Sequence, residues 1–275
     1  MMTGCSTTKY VPEGDHLYTG AKIKIKGKKA KVPKSIIEEM NKVIVPKPNS
    51  SFLGVKAKLM TYTPEKNPPE KKGFFGRLKK KFSEAPVLLS QMSFADNRKR
   101  LNNVLFARGY LKSDIKQDTV QKGKKASVTF NVLPGTRYTI RNINYPTDST
   151  ALGLMIRNSA SLSELKKGDY FDFDAFKKER QRIDDYVKER GFYFYIAEYI
   201  LYRVDSLHNG EADLYLTLIP EMPANATKQW QVTDVSIYGN YTLARDSAIT
   251  VQEGKIGKRE GNRHIGMSLA FLDFS

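Results

Sequence analysis

The chain has 275 residues, 40% of them hydrophobic, which is enough apolar material for folded cores and excludes a wholly disordered protein. Its 46 lysine and arginine residues against 29 aspartate and glutamate residues give a formal net charge of +17, which favours anionic partners such as nucleic acid, acidic lipid or acidic polypeptide. The single cysteine excludes an internal disulfide, and no run of about 18 apolar residues predicts a membrane-spanning helix.

The first residues resemble the cleavage site of a bacterial lipoprotein signal. Met2-Thr3-Gly4-Cys5 is an apolar residue, two small residues and a cysteine, whose sulfur would carry the lipid. A complete signal needs a charged segment and about 7–15 apolar residues before this site, whereas four residues precede Cys5. Two alternatives follow: a lipidated Cys5 that opens a tether over residues 1–20, or an ordinary free cysteine.

A basic insert interrupts the first stretch of predicted structure. A strand is predicted from Ala21 to Gly27 and a helix from Ser35 to Ile44, because apolar residues alternate in the first and recur at helical spacing in the second. Residues 64–82 then hold seven lysine and arginine residues against two glutamates. Clustered cations beside aromatic side chains suit an anionic membrane surface. The candidate membrane-surface residues are Phe74, Phe75, Arg77, Lys79, Lys80 and Lys81. The alternative is a solvated loop whose phenylalanines dock on their own domain.

The strongest pattern in the sequence is an internal repeat. Residues 94–110 align without a gap with residues 176–192, and in both copies the apolar residues fall on one face of a helix. These positions are Leu101, Val104 and Leu105 in the first copy and Ile183, Tyr186 and Val187 in the second. The repeat predicts two small domains of the same construction.

Both helices of the repeat have recognisable ends. Ser93 with Asp96 is predicted to cap the first helix, and Asp174 the second, because short polar side chains satisfy the free N–H groups of a first turn. Gly109 and Gly191 are predicted to end the helices, since glycine accepts the left-handed conformation of a C-terminal cap. The aromatic residue that follows each glycine can fold back on the last turn.

The segments after the two helices also match. Leu111 to Val120 and Tyr193 to Val204 are predicted to be strands, and each is followed by a turn that contains glycine. Residues 126–132 and 212–218 alternate between apolar and polar, as half-buried strands do. Because a fresh strand follows each copy, the repeating unit is strand, helix, helix, strand, strand. The predicted domains are the tether over 1–20, modules over 21–137 and 138–223, and the start of a third module over 229–275.

This order, with an Arg-Gly-aromatic sequence after the second helix, resembles the POTRA domains of the BamA/TamA family. With Cys5 and the phrase Glu84-Ala-Pro-Val-Leu-Leu89, the chain is most similar to the lipoprotein-type relatives called TamL, over about Cys5 to Asn240. The resemblance implies an α+β fold of tandem POTRA-like βααββ modules, each a three-stranded mixed sheet with two helices on one face. Those proteins end in a transmembrane β-barrel, which we do not expect in this chain, so the resemblance does not carry over membrane-insertion activity.

The resemblance implies protein binding rather than catalysis. The chain would be the periplasmic scaffold of an outer-membrane protein assembly or translocation factor, anchored by lipid to the bacterial outer membrane. Its implied partners are unfolded or extended outer-membrane protein clients and assembly-complex subunits, with no cofactor and no nucleic acid. The sequence agrees with a non-enzyme, because its three histidines are far apart and it has no metal-ligand spacing, phosphate loop or nucleophile elbow. The alternative from another class is a nucleic-acid or anionic-polymer binding protein.

In POTRA domains the second strand lies at a sheet edge, and the resemblance places Tyr193 to Val204 there. Such an edge can pair with an extended chain, a mode of binding called β-augmentation. Glu198 and Arg203 are the only charges in this apolar segment, whereas edges are usually blunted by charge. The candidate partner-binding residues are Ile196, Ala197, Glu198, Tyr199 and Ile200. The alternative is that a neighbouring module or the C-terminal tail covers this edge.

Overall fold

A computed structural model describes residues 7–27, 31–51, 56–60, 62, 64, 83–208, 210–238 and 266–273. In chain order the elements are β1 (Leu17–Ile25), α1 (Lys34–Val43), α2 (Ala57–Met60), α3 (Phe94–Ala107), β2 (Asp114–Lys122), β3 (Lys125–Leu133), β4 (Thr139–Asn144), α4 (Ala151–Asn158), α5 (Phe173–Lys188), β5 (Ile200–His208), β6 (Glu211–Leu218), β7 (Trp230–Tyr238) and β8 (Gly266–Asp273). Short 3₁₀ turns lie at Leu89–Gln91, Ser159–Leu162, Ala197–Tyr199 and Ala224–Thr227.

The backbone groups into two compact units, neither of them continuous in sequence. The first comprises Met1–Asn142, Lys166–Asp174 and Asp205–Asp213, and the second comprises Ile143–Leu165, Ala175–Val204 and Leu214–Ser275. The module limits predicted from the repeat follow chain order rather than spatial contact, so they remain predictions.

The first sheet is three-stranded and mixed, with the order β1-β3-β2. β1 runs parallel to β3, from the pair Leu17 and Lys125 to the pair Ile25 and Val132. β2 and β3 form an antiparallel hairpin that turns at Gly123, which has a φ of 56°. A parallel pair needs a long crossover connection, and α1 and α3 lie in the connection that leads from β1 to the hairpin.

The core of the first sheet lies on one face of β3. Alternate residues of that strand are buried: Ala126, Val128, Phe130 and Val132. Residues at helical spacing in α1 and α3 pack in the same cluster: Ile36, Met40, Leu101, Val104 and Leu105. α3 begins where Ser93 accepts the N–H of Asp96 at 3.2 Å, as predicted. One face of the sheet is therefore covered by the helices.

A second three-stranded sheet has the order β4-β6-β5. Its core takes residues from both helices and from two strands: Leu152, Ile156, Ile183, Val187, Ile200 and Leu216. Of the six helix positions predicted from the repeat, five are buried and Tyr186 is half-buried. The α+β class with two three-stranded mixed sheets is confirmed, and the order strand, helix, helix, strand, strand occurs twice.

Some elements differ from the predictions. β1 begins at Leu17, inside the segment predicted as a tether, because Leu17 and Tyr18 are both fully buried. α5 begins at Phe173, and the carboxylate of Asp172, rather than that of Asp174, accepts a first-turn N–H at 2.9 Å. β8, which pairs antiparallel with β7, was not predicted.

The two cores give the first testable prediction. Leu101→Ala and Ile183→Ala each remove a fully buried side chain from a different core, so each is expected to lower the free energy of unfolding by about 2–5 kcal/mol. Hydrogen exchange measured residue by residue is expected to show lost protection around β3 for the first variant and around β6 for the second.

The matched controls are Lys99→Ala in α3 and Lys178→Ala in α5, which change exposed side chains of the same helices. Both are expected to stay within about 0.5 kcal/mol of the parent protein. A uniform loss of protection over both cores in both core variants would contradict two separate cores.

Candidate functional site

The predicted partner-binding residues lie at the start of an edge strand rather than along it. Within the described residues β5 is at the end of the order β4-β6-β5, so it is a sheet edge. Ala197–Tyr199 form a 3₁₀ turn, Ile196 before the turn is 41% exposed, and Ile200 is the buried first residue of β5. The strand predicted over Tyr193–Val204 is therefore wrong in its first half.

Two aromatic residues explain this difference. Phe192 and Tyr195 are both fully buried, and the N–H of Tyr195 donates to the carbonyl of Phe192 at 3.0 Å. Residues three apart that are buried together need a turn, whereas a strand buries every second residue. A second turn follows at once, in which the N–H of Tyr199 donates to the carbonyl of Ile196 at 3.1 Å.

β5 carries fewer charges than β2, an edge of the first sheet, because only two of its nine residues, Arg203 and Asp205, are charged. In β5, Leu201 is 44% exposed and Val204 is 37% exposed. In β2, four of the nine residues are charged: Asp114, Lys116, Asp118 and Lys122. Charged side chains, lysine especially, oppose pairing between an edge and another chain. β5 is therefore the less protected of these two edges.

The backbone of β5 points hydrogen-bonding groups outward. Ile219 donates its N–H to the carbonyl of Tyr199 at 2.9 Å, and the hydroxyl of Thr217 donates to the carbonyl of Leu201 at 3.4 Å. In an antiparallel strand the backbone groups of successive residues point to opposite sides, so Tyr199 and Leu201 face β6. The N–H groups of Tyr202 and Val204 then point away from β6, where an added strand would lie.

Side chains on the core side hold β5 in place. The ring of Tyr202 stacks on that of Phe176 with 4.9 Å between centroids, and the Arg180 guanidinium lies 5.2 Å from the Tyr202 ring. Burial raises the pKa of Tyr202 above its usual value. Because these contacts fix the strand before any partner arrives, little ordering cost opposes the addition of a strand.

A second candidate feature is the corner at which the second helix of the first repeat ends. It consists of Arg108, Gly109 and Tyr110, all in the first unit. Gly109 has a φ of 90°, and its carbonyl accepts the N–H of Tyr138 at 2.8 Å. A Cβ at Gly109 would lie 2.7 Å from the carbonyl oxygen of Phe171. The sequence predicted the helix end but not this close approach of two backbone segments, which no local pattern encodes.

Three carboxylates surround the arginine of this corner. Arg108 lies 2.9 Å from Glu39, 2.8 Å from Asp172 and 2.7 Å from Asp174. Hydrogen bonding to Glu39 raises the pKa of Arg108 above its usual value. The arginine side chain is 21% exposed, so these ion pairs are partly shielded from water. Asp174, predicted as a helix cap, is thus an ion-pair partner of Arg108.

The other predicted site residues fall outside the described part of the chain. These are Cys5 and the membrane-surface residues of the basic insert, Phe74, Phe75, Arg77, Lys79, Lys80 and Lys81. Within the described ranges, no cluster of three histidine, cysteine or acidic residues could hold a metal ion. None of the helices described is long and apolar enough to cross a membrane.

Three solved structures illustrate the likeness of this fold to POTRA domains. The POTRA3-5 region of BamA from Haemophilus influenzae is 17% identical over 75% of this chain and 68% of its own, with a TM-score of 0.39. POTRA1-3 of Omp85 from Anabaena is 8% identical over 74% and 62%, with a TM-score of 0.36. POTRA1-2 of the same protein is 10% identical over 74% and 96%, with a TM-score of 0.35. No protein-family model matches the chain, and no curated protein matches it.

The corner at Gly109 gives the second testable prediction. Gly109→Ala is expected to lower the free energy of unfolding by about 2–5 kcal/mol, because it adds a left-handed alanine and a clash with the Phe171 carbonyl. The matched control is Gly123→Ala, with a φ of 56° and no atom within 4 Å of the added Cβ, for which only about 1–2 kcal/mol is expected. Denaturant unfolding measures both, and equal losses would contradict the close approach at Gly109.

Proposed function

We propose that this chain is a protein-binding scaffold that pairs an extended polypeptide with the outer edge of β5. The observation that carries this proposal is the edge itself, a terminal strand with exposed apolar side chains and outward-pointing backbone N–H groups. Backbone pairing gives affinity for any extended chain, and side chains beside the edge select among such chains. The proposed site is therefore Leu201 to Val204, with the turn at Ala197–Tyr199 leading into it.

The side chains beside the edge favour an amphipathic client strand. Leu201 and Arg203 are exposed on the face of β5 opposite the buried Ile200, and Tyr215 of β6 is exposed too. A client whose residues alternate between apolar and polar would place apolar side chains against Leu201, in the strand with which it pairs. Strands of outer-membrane β-barrel proteins alternate in this way, so unfolded outer-membrane proteins are the proposed clients.

We place this scaffold on the periplasmic side of the bacterial outer membrane, in a protein assembly or translocation factor of the TamL type. The support is the doubled order of strand, helix, helix, strand, strand with its Arg-Gly-aromatic corners, and the lipoprotein-like sequence that ends at Cys5. Assembly-complex subunits are proposed as further partners. A purely protein-binding role implies no catalytic activity.

The edge gives the third testable prediction. Val204→Pro removes an outward N–H from β5, and proline is tolerated where a strand N–H faces solvent. Binding of a peptide of about ten residues that copies an outer-membrane protein strand is expected to weaken at least about tenfold, as lost backbone pairing implies, with the melting temperature nearly unchanged. Val204→Ala keeps the N–H and is expected to bind normally. Peptide titration by calorimetry measures both variants.

The neighbouring position tests the direction of the backbone. Arg203 is expected to donate its N–H to β6, so Arg203→Pro should remove a hydrogen bond from the sheet and lower the melting temperature. Normal peptide binding by a folded Val204→Pro variant would contradict pairing at this edge. A series of salt concentrations distinguishes this proposal from the alternative, a nucleic-acid or anionic-polymer binding protein. Binding through nucleic-acid phosphates weakens steeply as salt rises, whereas the affinity of strand pairing is expected to change little.

Attachment to the membrane is the fourth testable prediction. We propose that Cys5 carries lipid and that the basic insert adds contacts to acidic headgroups, at about 1 kcal/mol for each cation near the surface. With a complete signal segment in front of Cys5, labelled fatty acid is expected to enter the parent protein and not Cys5→Ala. Replacing Lys79, Lys80 and Lys81 by glutamine is expected to weaken binding to acidic vesicles at low salt. Equal labelling of the parent protein and Cys5→Ala would contradict the lipid at Cys5. Equal vesicle binding by the parent protein and the glutamine variant would contradict the role of the basic insert.

A further inference from the structure

The second repeat contains a corner built like the first. This corner follows the end of α5 and consists of Arg190, Gly191 and Phe192, all in the second unit. Gly191 has a φ of 96°, and its carbonyl accepts the N–H of Trp230 at 2.7 Å. The side-chain Nε2–H of Gln229 donates to the backbone carbonyl of Arg190 at 2.6 Å. Each of these features has a counterpart in the first corner.

The correspondence extends to the residue before the incoming strand. In the first corner Arg137 donates its Nε–H to the carbonyl of Arg108 at 2.8 Å, as Gln229 does for Arg190. The two backbones therefore have the same hydrogen-bonded framework, although the chain between glycine and incoming strand differs in length. The first corner therefore serves as a model for the side chains that can pair with the arginine in such a framework.

In the part of the chain that the structure describes, no residue takes the place of Glu39, Asp172 or Asp174 beside Arg190. Buried residues four apart match α1 to α4, namely Ile36 and Met40 in the first and Leu152 and Ile156 in the second. This alignment puts Met155 at the position of Glu39. Among the described residues, only Glu189 places a carboxylate within 4 Å of Arg190, at 3.6 Å, and that side chain is 75% exposed.

Arg190 instead lies over its own helix. Its guanidinium is 3.6 Å from the ring centre of Tyr186, and it donates a hydrogen bond to the Tyr186 carbonyl. The Arg190 side chain is 40% exposed, so it keeps its charge partly in contact with solvent, and its contacts on its own helix are a half-buried ring and a backbone carbonyl. A carboxylate that reaches the guanidinium would therefore replace these contacts rather than displace a buried carboxylate.

The described residues of the second unit leave a groove beside Arg190 and Gly191. It has a volume of about 560 Å³ and is lined by Met155, Arg190, Gly191, Gln229, Trp230 and Gln231. At the first corner the backbone of Phe171 approaches the glycine, and the two aspartates that follow Phe171 pair with the arginine. Beside Gly191 the atoms nearest an added Cβ belong only to Gln229 and Trp230.

We propose that this groove binds an extended segment of another polypeptide in which aspartates alternate with apolar or aromatic residues. The model for the occupant is the sequence Phe171-Asp172-Phe173-Asp174, which fills the first corner. Arg190 takes a carboxylate through its planar fork, the strongest geometry for such a pair, and Met155 and Trp230 contact the apolar side chains. This surface is distinct from the β5 edge, so the inference goes beyond the proposed function.

Trp230 makes the test direct, because it is the only tryptophan in the chain and it lines the groove. The probe is a synthetic peptide with the sequence of residues 168–175, added to the intact protein while tryptophan emission is recorded. Saturable change in the emission is expected. A peptide with asparagine in place of Asp172 and Asp174 is expected to bind at least about tenfold more weakly, since hydrogen bonds to a charged group are lost.

Two protein variants complete the test. Arg190→Gln is expected to weaken binding of the aspartate peptide at least about tenfold with an unchanged melting curve. Met155→Glu restores the counterpart of Glu39 and is expected to weaken binding as well, because its own carboxylate occupies Arg190. Should one variant fail to fold, the other still decides.

Val204→Pro serves as the control at the other surface and is expected to bind this peptide normally. The proposal is overturned if calorimetry and tryptophan emission both show no binding. It is equally overturned if the asparagine peptide, or a folded Arg190→Gln, binds as tightly as the original pair. Loss of this binding in Val204→Pro but not in Arg190→Gln would assign the peptide to the edge and also overturn the groove.

Discussion

The hydrogen bond between the N–H of Tyr138 and the carbonyl of Gly109 is the contact on which much of the first unit depends. It joins the end of α3 to the residue before β4, at 2.8 Å. Tyr138 in turn accepts the N–H of Phe171 at 2.9 Å, and this bond fixes the chain just before α5. The aspartates that follow then reach Arg108. Buried backbone groups must be paired, so each link leaves the next segment little choice of position, and glycine is required where two backbones meet.

Patterns that depend on neighbouring residues were readable in the sequence. The buried faces of α3 and α5 follow from apolar spacing, and the buried face of β3 follows from alternation, because one helix or strand can bury only one set of positions. The start of β5 was not readable in the same way. Phe192 and Tyr195 supply apolar residues to the core from a turn, and a run of apolar residues looks the same in a turn as in a buried strand.

The net charge of +17 says less about function than its magnitude suggests. Lys22, Lys24 and Lys116 lie on one face of the first sheet, beside Thr129 and Asn131 in the strand registers. The helices cover the opposite face, so these lysines keep the exposed face of a thin module in contact with water. The charged β2 edge has the further effect of discouraging pairing with other chains. The informative feature is therefore the edge with fewer charges, β5, in which two of nine residues, Arg203 and Asp205, are charged.

The two corners share one backbone framework with different surroundings: three carboxylates pair with Arg108, and among the described residues only the exposed Glu189 pairs with Arg190. Gly109 and Gly191 are fixed by the backbone that approaches them, and replacing either would strain the chain. The residue beside the arginine is under no such constraint, since glutamate and methionine are both good helix formers of similar length. A carboxylate at Glu39 occupies Arg108 from within the chain, whereas a methionine at 155 leaves Arg190 on Tyr186 beside an apolar groove. In the proposed groove, this side-chain difference, which costs the fold little, leaves Arg190 for a carboxylate from another chain, whereas Glu39 pairs with Arg108 from within.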